Sequence, residues 1–445
     1  MKSNHLIDLY SKLKKSLFET DFEVYQDLHY EQNGMHYYID LAIMRDNAVM
    51  SFIEFKDSIQ EKGSRTELYI KQCNVYRRLF PNSKPFVFLT DGNNFYEVFE
   101  NNTISDNKGF SDIIGKIKEI QPICEINNSS FDSFLDKLKE SKEQKGKMMD
   151  FVSEIKKECE KNGYNQVFKS HKTYFCFNDE YEKKFFKTLL GSVKRDFYRY
   201  MPLEILRNTL SEKRQAFASI LCMNDETECY YSQNYVDKRM IGDFMTIDKT
   251  EAYAKGSRCF IMSCTSNSDE NMEMWDEYGN KAQGVRVCFD AVNIDNDSSF
   301  LIAPVNYSKE SGDHPILNLI ADILKEKYNG VHYRFENWEA WQHFFKPHEY
   351  EEEKEIRILY QMPKEQETSE DIKWVYKNNL IFPLVCFKNH KGGDFPLTIK
   401  EIMLGPVAGN MDKNVATIKQ MLNINDIKIS GEDIDDIVIR SKYRR

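Results

Sequence analysis

The 445-residue sequence has no apolar run long enough to cross a bilayer. Its opening, MKSNHLIDLYSKLKKS, lacks the apolar core of a secretory signal. Ten cysteines are present without a single CxxC pair. That argues against a zinc finger and supplies no spacing for a disulfide framework. Scattered thiols fit a reducing, cytoplasmic setting, and no membrane partner is expected. There is no P-loop, so no nucleotide-driven motor is expected. Positive charge is not in excess: 61 Lys and Arg against 71 Asp and Glu leave a formal net charge of −10. No global basic field draws in a polyanion, and any grip on nucleic acid has to be local. With 41% hydrophobic residues, the chain can build the cores of about two or three domains.

What is present is organised around Tyr37 to Lys56, YYIDLAIMRDNAVMSFIEFK. Two strand-like runs flank a polar turn, Arg45-Asp46-Asn47. Side chains alternate across a strand. The first run therefore puts Ile39, Leu41 and Ile43 on one face and Tyr38, Asp40 and Ala42 on the other. The second puts Val49, Ser51, Ile53 and Phe55 on one face and Met50, Phe52, Glu54 and Lys56 on the other. A hairpin centred on Asn47 sets Asp40 opposite Glu54. Two carboxylates facing each other across antiparallel strands repel. A divalent cation removes that penalty, and Lys56 on the same face suits a site that handles water and phosphate.

Downstream, Ser64-Arg65-Thr66-Glu67 reads as a capping box opening a helix that carries Gln72 and Tyr76 on one face and ends before Pro81. An apolar strand, Pro85 to Thr90, a turn at Asp91 to Asn94 and a short run, Phe95 to Val98, follow. Asp40, then Glu54-Phe55-Lys56, then Gln72 and Tyr76, in this order and context, resembles the PD-(D/E)XK nucleases found at the N-terminus of type I restriction R subunits. The resemblance covers roughly residues 5–100. It implies a restriction-endonuclease-like mixed sheet flanked by helices, and Mg²⁺ or Mn²⁺ held by Asp40, Glu54 and the carbonyl of Phe55. It also implies that Lys56 acts on the attacking water, that Gln72 and Tyr76 touch substrate or hold the site, and that the substrate is nucleic acid, DNA being favoured. A metal-dependent endonuclease of this kind suits an anti-phage defence effector. Core packing is the plainer role for Tyr76. Glu19 and Glu31 are weaker candidates for a further carboxylate. Lys62, Arg65, Lys71, Arg77 and Arg78 could meet phosphate, or could equally be a solvated helix face.

The expected domains are a nuclease-like domain over residues 1–125, a helical connector over 126–192 and a second α+β domain over 193–445. The connector is expected because Ser130 to Cys159 is rich in charge with spaced apolar residues, as in solvent-exposed helices. In the last domain, Tyr198-Arg199-Tyr200 precedes a helix opened by Pro202. Cys259 to Ser266 reads as a buried strand ending in hydroxyls, Met274-Trp275 as part of a short helix and Gly284 to Asp290 as a strand; Glu353-x-Glu355-x-Arg357 comes later. This series resembles a bacterial family known only as a domain of unknown function. Arg199, Ser263 and Glu355 also occur in the order used by ADP-ribosyltransferases of the arginine–serine–glutamate kind. In that alternative the domain takes NAD, and the N-terminal domain is a relic nuclease fold that binds without cutting. A structural ion pair for Arg199 and a solvated strand face for Glu353 and Glu355 are the simpler roles. A small-molecule ligand of the second domain, a sensing or regulatory role for it, and homo-oligomerisation are all left open by the sequence.

Overall fold

The computed structural model describes residues 4–17, 20, 22–32, 35–45, 48–56, 59, 63–80, 85–119, 126–140, 144–171, 174–193, 196–223, 226–241, 244–245, 256–290, 300–363, 372–377, 379–431 and 433–443. The expected α+β class is what the chain adopts, with mixed sheets and helices throughout. Among the described residues no helix is long and apolar enough to cross a membrane. The chain divides into two compact units that are interleaved in sequence. The first comprises residues 1–185, 232–250 and 315–337; the second comprises 186–231, 251–314 and 338–445.

The first unit contains a six-stranded mixed sheet. Its strands are β1 (Glu23–Gln32), β2 (Met35–Arg45), β3 (Ala48–Phe55), β4 (Phe86–Thr90) and β5 (Phe95–Glu97), with Phe244–Met245 added beside β1. β1, β2 and β3 form an antiparallel meander, β4 runs parallel to β3, and β5 turns back antiparallel. A parallel neighbour needs a crossover, and helix α2 (Ser64–Arg78) lies between β3 and β4 in the chain. Helix α1 (Asn4–Leu17) buries Leu6, Leu9, Leu13 and Leu17 against Leu41, Ile43, Ile53 and Phe88 of one sheet face, and α3 (Phe110–Lys118) joins the same core through Ile113 and Ile117. α2 covers the other face, where Tyr76 meets the rings of Phe52 and Tyr37, each at 6.1 Å.

Three local expectations are corrected. The β2–β3 register keeps Leu41 opposite Ile53 but slips by one between Ile43 and Met44, so a bulge falls near the turn. Met50 consequently packs against the α1 core instead of sharing the face of Glu54. The helix starts one residue earlier than a Ser64 cap requires: Gly63 is the N-cap, without a side-chain bond, and Ser64 is already helical. Of the expected connector, residues 126–185 fall in the first unit and 186–192 in the second. Helices α4 (Asn128–Glu140) and α5 (Lys145–Asn162) bury Phe131, Phe134, Leu135, Met148, Phe151 and Val152. Phe134 stacks on Tyr333 at 4.2 Å and Phe131 on Phe168 at 4.6 Å. These rings belong to a four-stranded sheet ordered Lys327–Tyr328, Val331–Tyr333, β7 (Tyr174–Phe177), β6 (Phe168–Ser170). The charged positions of the helices read as solvated, but each helix also carries a strongly apolar stripe that needs a cover.

The second unit is built on a large, mostly antiparallel sheet. Its path runs Ile372–Lys377, Leu380–Lys388, Arg214–Ser219, Cys259–Thr265, Asp196–Met201, Val285–Asp290, Thr398–Leu404, Val438–Arg440. Cys259–Thr265 also pairs along its whole length with Glu355–Gln361, which in turn pairs with Phe300–Pro304. One sheet face carries Phe197, Met201, Met262, Cys264, Val287 and Ile356, and it packs with Leu206 and Leu210 of helix Leu203–Glu212 and with Ile418 and Leu422 of helix Met411–Ile424. Trp275 is fully buried edge-on to Tyr200, at 4.8 Å. Asn280, Lys281 and Ala282 follow with φ of 52°, 54° and 63°. Three successive left-handed L-residues are costly. Backbone bonds from Gly284 to Gly279 and from Ala282 to Trp275 hold the turn. A Cβ at Gly284 would lie 2.2 Å from the carbonyl oxygen of Met201, so only glycine fits there.

The ring cluster around Phe134 separates a packed α4 from a solvated connector. Phe134→Ala is expected to lower stability by about 3–5 kcal/mol, as for deletion of a fully buried ring. Urea unfolding measures this, and a loss below about 1 kcal/mol would fit an exposed helix instead.

Candidate active site

The β2–β3 ladder ends at the pair Leu41 and Ile53. One residue further on, the carboxylates of Asp40 and Glu54 take the places that strand carbonyls would have filled. The Phe55 N–H donates to Asp40 Oδ2 at 2.9 Å, and the Asp40 N–H lies 3.4 Å from Glu54 Oε1. β3 meanwhile stays bonded to β4, through Lys56 N–H to the Thr90 carbonyl at 2.9 Å. Because peptide groups alternate along a strand, the carbonyl of Phe55 is directed to the Asp40 side and away from β4. Its ring faces the α1 core, as the alternation requires. Lys56 Nζ lies 3.2 Å from Glu54 Oε2. Asp40, Glu54 and Lys56 therefore meet at one place, at the edge where two strands part.

The electrostatics there are unbalanced. Glu54 is only 1% exposed. Burial, with the charge of Asp40, pushes its carboxyl up to about 8 despite the lysine beside it. Burial alone would lower Lys56, but Glu54 and then Asp40 outweigh it and hold the ammonium charged. α2 closes over this group. Tyr69 puts its ring 5.3 Å from Lys56 Nζ. Gln72 Nε2 donates to Tyr76 Oη at 2.8 Å. Burial raises the Tyr76 hydroxyl, and Glu54 is among the charges acting on it. Cys73, fully buried, is likewise raised by burial and by Glu54. Residues 69, 72, 73 and 76 fall on one helical face; Tyr69 and Cys73 went unnoticed in the sequence, although their spacing from Gln72 and Tyr76 carries the signal.

The basic residues of α2 separate into two groups. Arg77 is turned inward, donating to the Val98 carbonyl and to Asn74 Oδ1, while Asn74 reaches the Phe99 carbonyl at 3.2 Å. It fastens α2 to the chain after β5 and is not presented for phosphate. Arg65, Lys71 and Arg78 are exposed. Glu19 and Lys62 lie outside the described residues, as does the side chain of Glu31.

In the second unit, Arg199, Ser263 and Glu355 do not line one pocket. Ser263 stands opposite Arg357, and Thr265 opposite both Glu355 and Tyr198, so all of these share a sheet face. Arg199 follows Tyr198 and points the other way, with Phe197, Met201 and Val287. Among the described residues its Nη1 is buried without a hydrogen-bond partner, and burial lowers its pKa. Glu355 is not solvated either. Arg357 Nε and Nη2 grip its two oxygens at 2.7 and 3.0 Å, and Lys346 Nζ lies 2.9 Å from Oε2. Arg357 also donates to Glu228 and to the His343 carbonyl. Lys346 reaches Glu228 at 3.2 Å and Glu353 at 2.9 Å, and Tyr278 donates to Glu353 at 2.8 Å. Burial would raise Glu355, but Arg357 and Lys346 prevail and hold it down to about 2. The NAD-anchoring set drawn from residue order is thus replaced by a buried ion network on one face and a solitary arginine on the other.

A carboxyl held below its ordinary value stabilises the fold above that ordinary value, and the contribution is lost as pH falls through the folded pKa. Stability from Glu355 is therefore expected to be full at neutral pH and to fade from about pH 4.5 toward about pH 2. Glu355→Gln, which leaves Arg357 and Lys346 under-paired, is expected to cost about 3–5 kcal/mol at pH 7 by urea unfolding, with the difference narrowing in acid. A pH-independent difference would show that the charge of Glu355 is not what matters.

The family described as Protein of unknown function (DUF2971) matches residues 274–358. That segment supplies Trp275, the left-handed turn, Lys346, Glu353, Glu355 and Arg357. No nuclease family matches the N-terminal region. No curated protein and no solved structure matches the chain.

Proposed function

We propose that the first unit is a metal-dependent nuclease of the PD-(D/E)XK kind, cleaving phosphodiester bonds of nucleic acid, with DNA favoured. The observation that carries this reading is the meeting of Asp40, Glu54 and Lys56 where β2 and β3 part, with Glu54 buried and under-compensated. An acid pair with one member buried, beside a single lysine, suits a divalent cation, which supplies the missing positive charge. Asp40, Glu54 and the Phe55 carbonyl are the oxygens that would hold it. Magnesium or manganese, when bound, would polarise a phosphoryl oxygen and ease departure of the leaving oxygen.

The chain's own residues supply the rest. Lys56, fixed by Glu54 and by the ring of Tyr69, presents an ammonium that orients water and steadies charge on the phosphate. The Phe55 N–H holds the Asp40 carboxylate in place. Gln72 and Tyr76, bonded to each other, hold the wall of the site formed by α2. Arg65, Lys71 and Arg78 offer the local positive charge that a chain of net charge −10 needs to hold a polyanion. The second unit, which contains the DUF2971 segment, would serve as the sensing or regulatory part of a defence effector.

The protein is expected to nick or degrade plasmid DNA with Mg²⁺ or Mn²⁺ and to be silent in EDTA. Lys56→Ala should fold and lose at least about 100-fold in rate. Cleavage by that variant at the parental rate would place the chemistry elsewhere.

The raised Glu54 gives a second prediction. An acid whose folded pKa lies above its unfolded value makes the fold less stable as pH rises between the two, here from about 4.5 to about 8. A bound cation competes with that proton, so affinity for it should rise over the same window. The increase in melting temperature on adding Mn²⁺ should be larger at pH 8 than at pH 6 and absent in Glu54→Gln. Without metal, that variant should be at least as stable as the parent at pH 8. An equal Mn²⁺ shift in parent and variant would remove Glu54 from the cation site.

A further inference from the structure

In the four-stranded sheet of the first unit, the turn after β6, the strand β7 and the chain just beyond Val331–Tyr333 bring together His171, Cys176 and Glu336. His171 Nε2 lies 3.2 Å from Glu336 Oε1 and 3.8 Å from Cys176 Sγ. The three ligand atoms all fall within 4.8 Å of one another. A tetrahedral zinc ion, bound at about 2.0–2.1 Å by nitrogen or oxygen and about 2.3 Å by sulfur, sets an N···O edge of roughly 3.3 Å and an S···N edge of roughly 3.6 Å. The first edge is matched, and the second is open by a few tenths of an ångström.

The surroundings hold these groups in place. Val331–Tyr333 runs parallel to β7, pairing His332 with Tyr174 and Tyr333 with Phe175, and the Arg334 N–H bonds to the Phe175 carbonyl at 3.0 Å. This sets the chain on a course past Cys176. The fully buried carboxylate of Glu182 then accepts the N–H groups of Glu336 and Asn337, both at 2.9 Å. The ring of Tyr174 stacks on His171 at 4.3 Å. Lys169 Nζ sits 2.7 Å from Glu336 Oε2, the oxygen that does not face His171, and 2.8 Å from Asp179. Ligand carboxylates and imidazoles are commonly braced by such outer contacts.

We propose that His171, Cys176 and Glu336 form a three-ligand zinc site with its fourth position open. A thiolate and an imidazole select zinc over magnesium, which prefers oxygen alone. Zinc with one thiolate and one carboxylate is neutral, and Lys169 is balanced by Asp179. Binding releases the thiol proton of Cys176 to solvent. His171 and Glu336 have side chains 38% and 28% exposed, so the open position faces outward, toward water or a small ligand. The ion would fasten the segment after Tyr333 to a hairpin more than 150 residues earlier in the chain. The site shares no residue with the Asp40 site and stands or falls apart from it.

The test is elemental analysis and cobalt substitution of the full chain purified from zinc-supplemented culture. The parent is expected to carry about one zinc per chain, and its cobalt form to show the near-ultraviolet absorption of a thiolate–metal bond. Cys176→Ser and His171→Asn should each reduce retained zinc at least tenfold; Lys169→Ala should weaken zinc about 10–100-fold. His390→Asn, a histidine of the second unit, should keep full occupancy. Far-ultraviolet circular dichroism checks folding, and since His171 is partly exposed its variant decides the matter if Cys176→Ser fails to fold. A parent without zinc and without cobalt–thiolate absorption would overturn the proposal. So would zinc retained in full by His171→Asn.

Discussion

Glu54 is a carboxylate with almost no access to water and with another carboxylate for a neighbour. A fold tolerates that only by arranging everything else around it. β3 is bonded to β4 past the point where β2 has let go, which leaves one strand edge free to host Asp40. The crossover α2 is placed to roof the pair, with Tyr69, Gln72, Cys73 and Tyr76 directed inward and Arg77 fastening the helix at its end. The α1 core presses on the opposite face and keeps Phe55 turned away. Packing supplies rigidity, and burial beside Asp40 leaves Glu54 with a raised carboxyl despite Lys56.

The network around Arg357 makes the contrast clear. There, two cations meet three carboxylates with direct bonds, and Glu355 is held ionised far below its ordinary range. At Glu54 one lysine meets two carboxylates, and the acid is pushed upward instead. Each cluster has one carboxylate more than it has cations, but Glu355 is gripped by two cations where Glu54 is met by one. The cations in direct contact, and not burial alone, decide which way each acid is shifted.

How much of this was legible beforehand follows from which forces are local. Alternation and hairpin arithmetic placed Asp40 against Glu54 correctly, because that register is governed by the hydrophobic set Ile39, Leu41, Ile43 and Ile53. The bulge near Met50 and the Gly63 cap were not legible, since each is a one-residue choice decided by packing. Arg199 could have been placed better: Phe197, Arg199 and Met201 alternate in the sequence, which already set the arginine on an apolar face. Residue order alone suggested the set with Ser263 and Glu355, and order says nothing about faces. Helices α4 and α5 were read by their charges when their apolar stripes were the stronger signal. His171, Cys176 and Glu336 share no spacing that a linear scan detects, because two different strands bring them together.

The interleaving of the two units also has a consequence for synthesis. β7 needs Val331–Tyr333 as its neighbour, and β1 takes Phe244–Met245. A ribosome that has finished residue 185 has therefore made strands whose partners do not yet exist. At roughly 5–20 residues per second, the edge of Tyr174–Phe177 stays bare for many seconds. A bare apolar edge is an invitation to the wrong partner. The first unit is thus incomplete until residue 337 has been made, although it holds the N-terminus, and cutting the chain after its first 185 residues would leave that edge exposed for good.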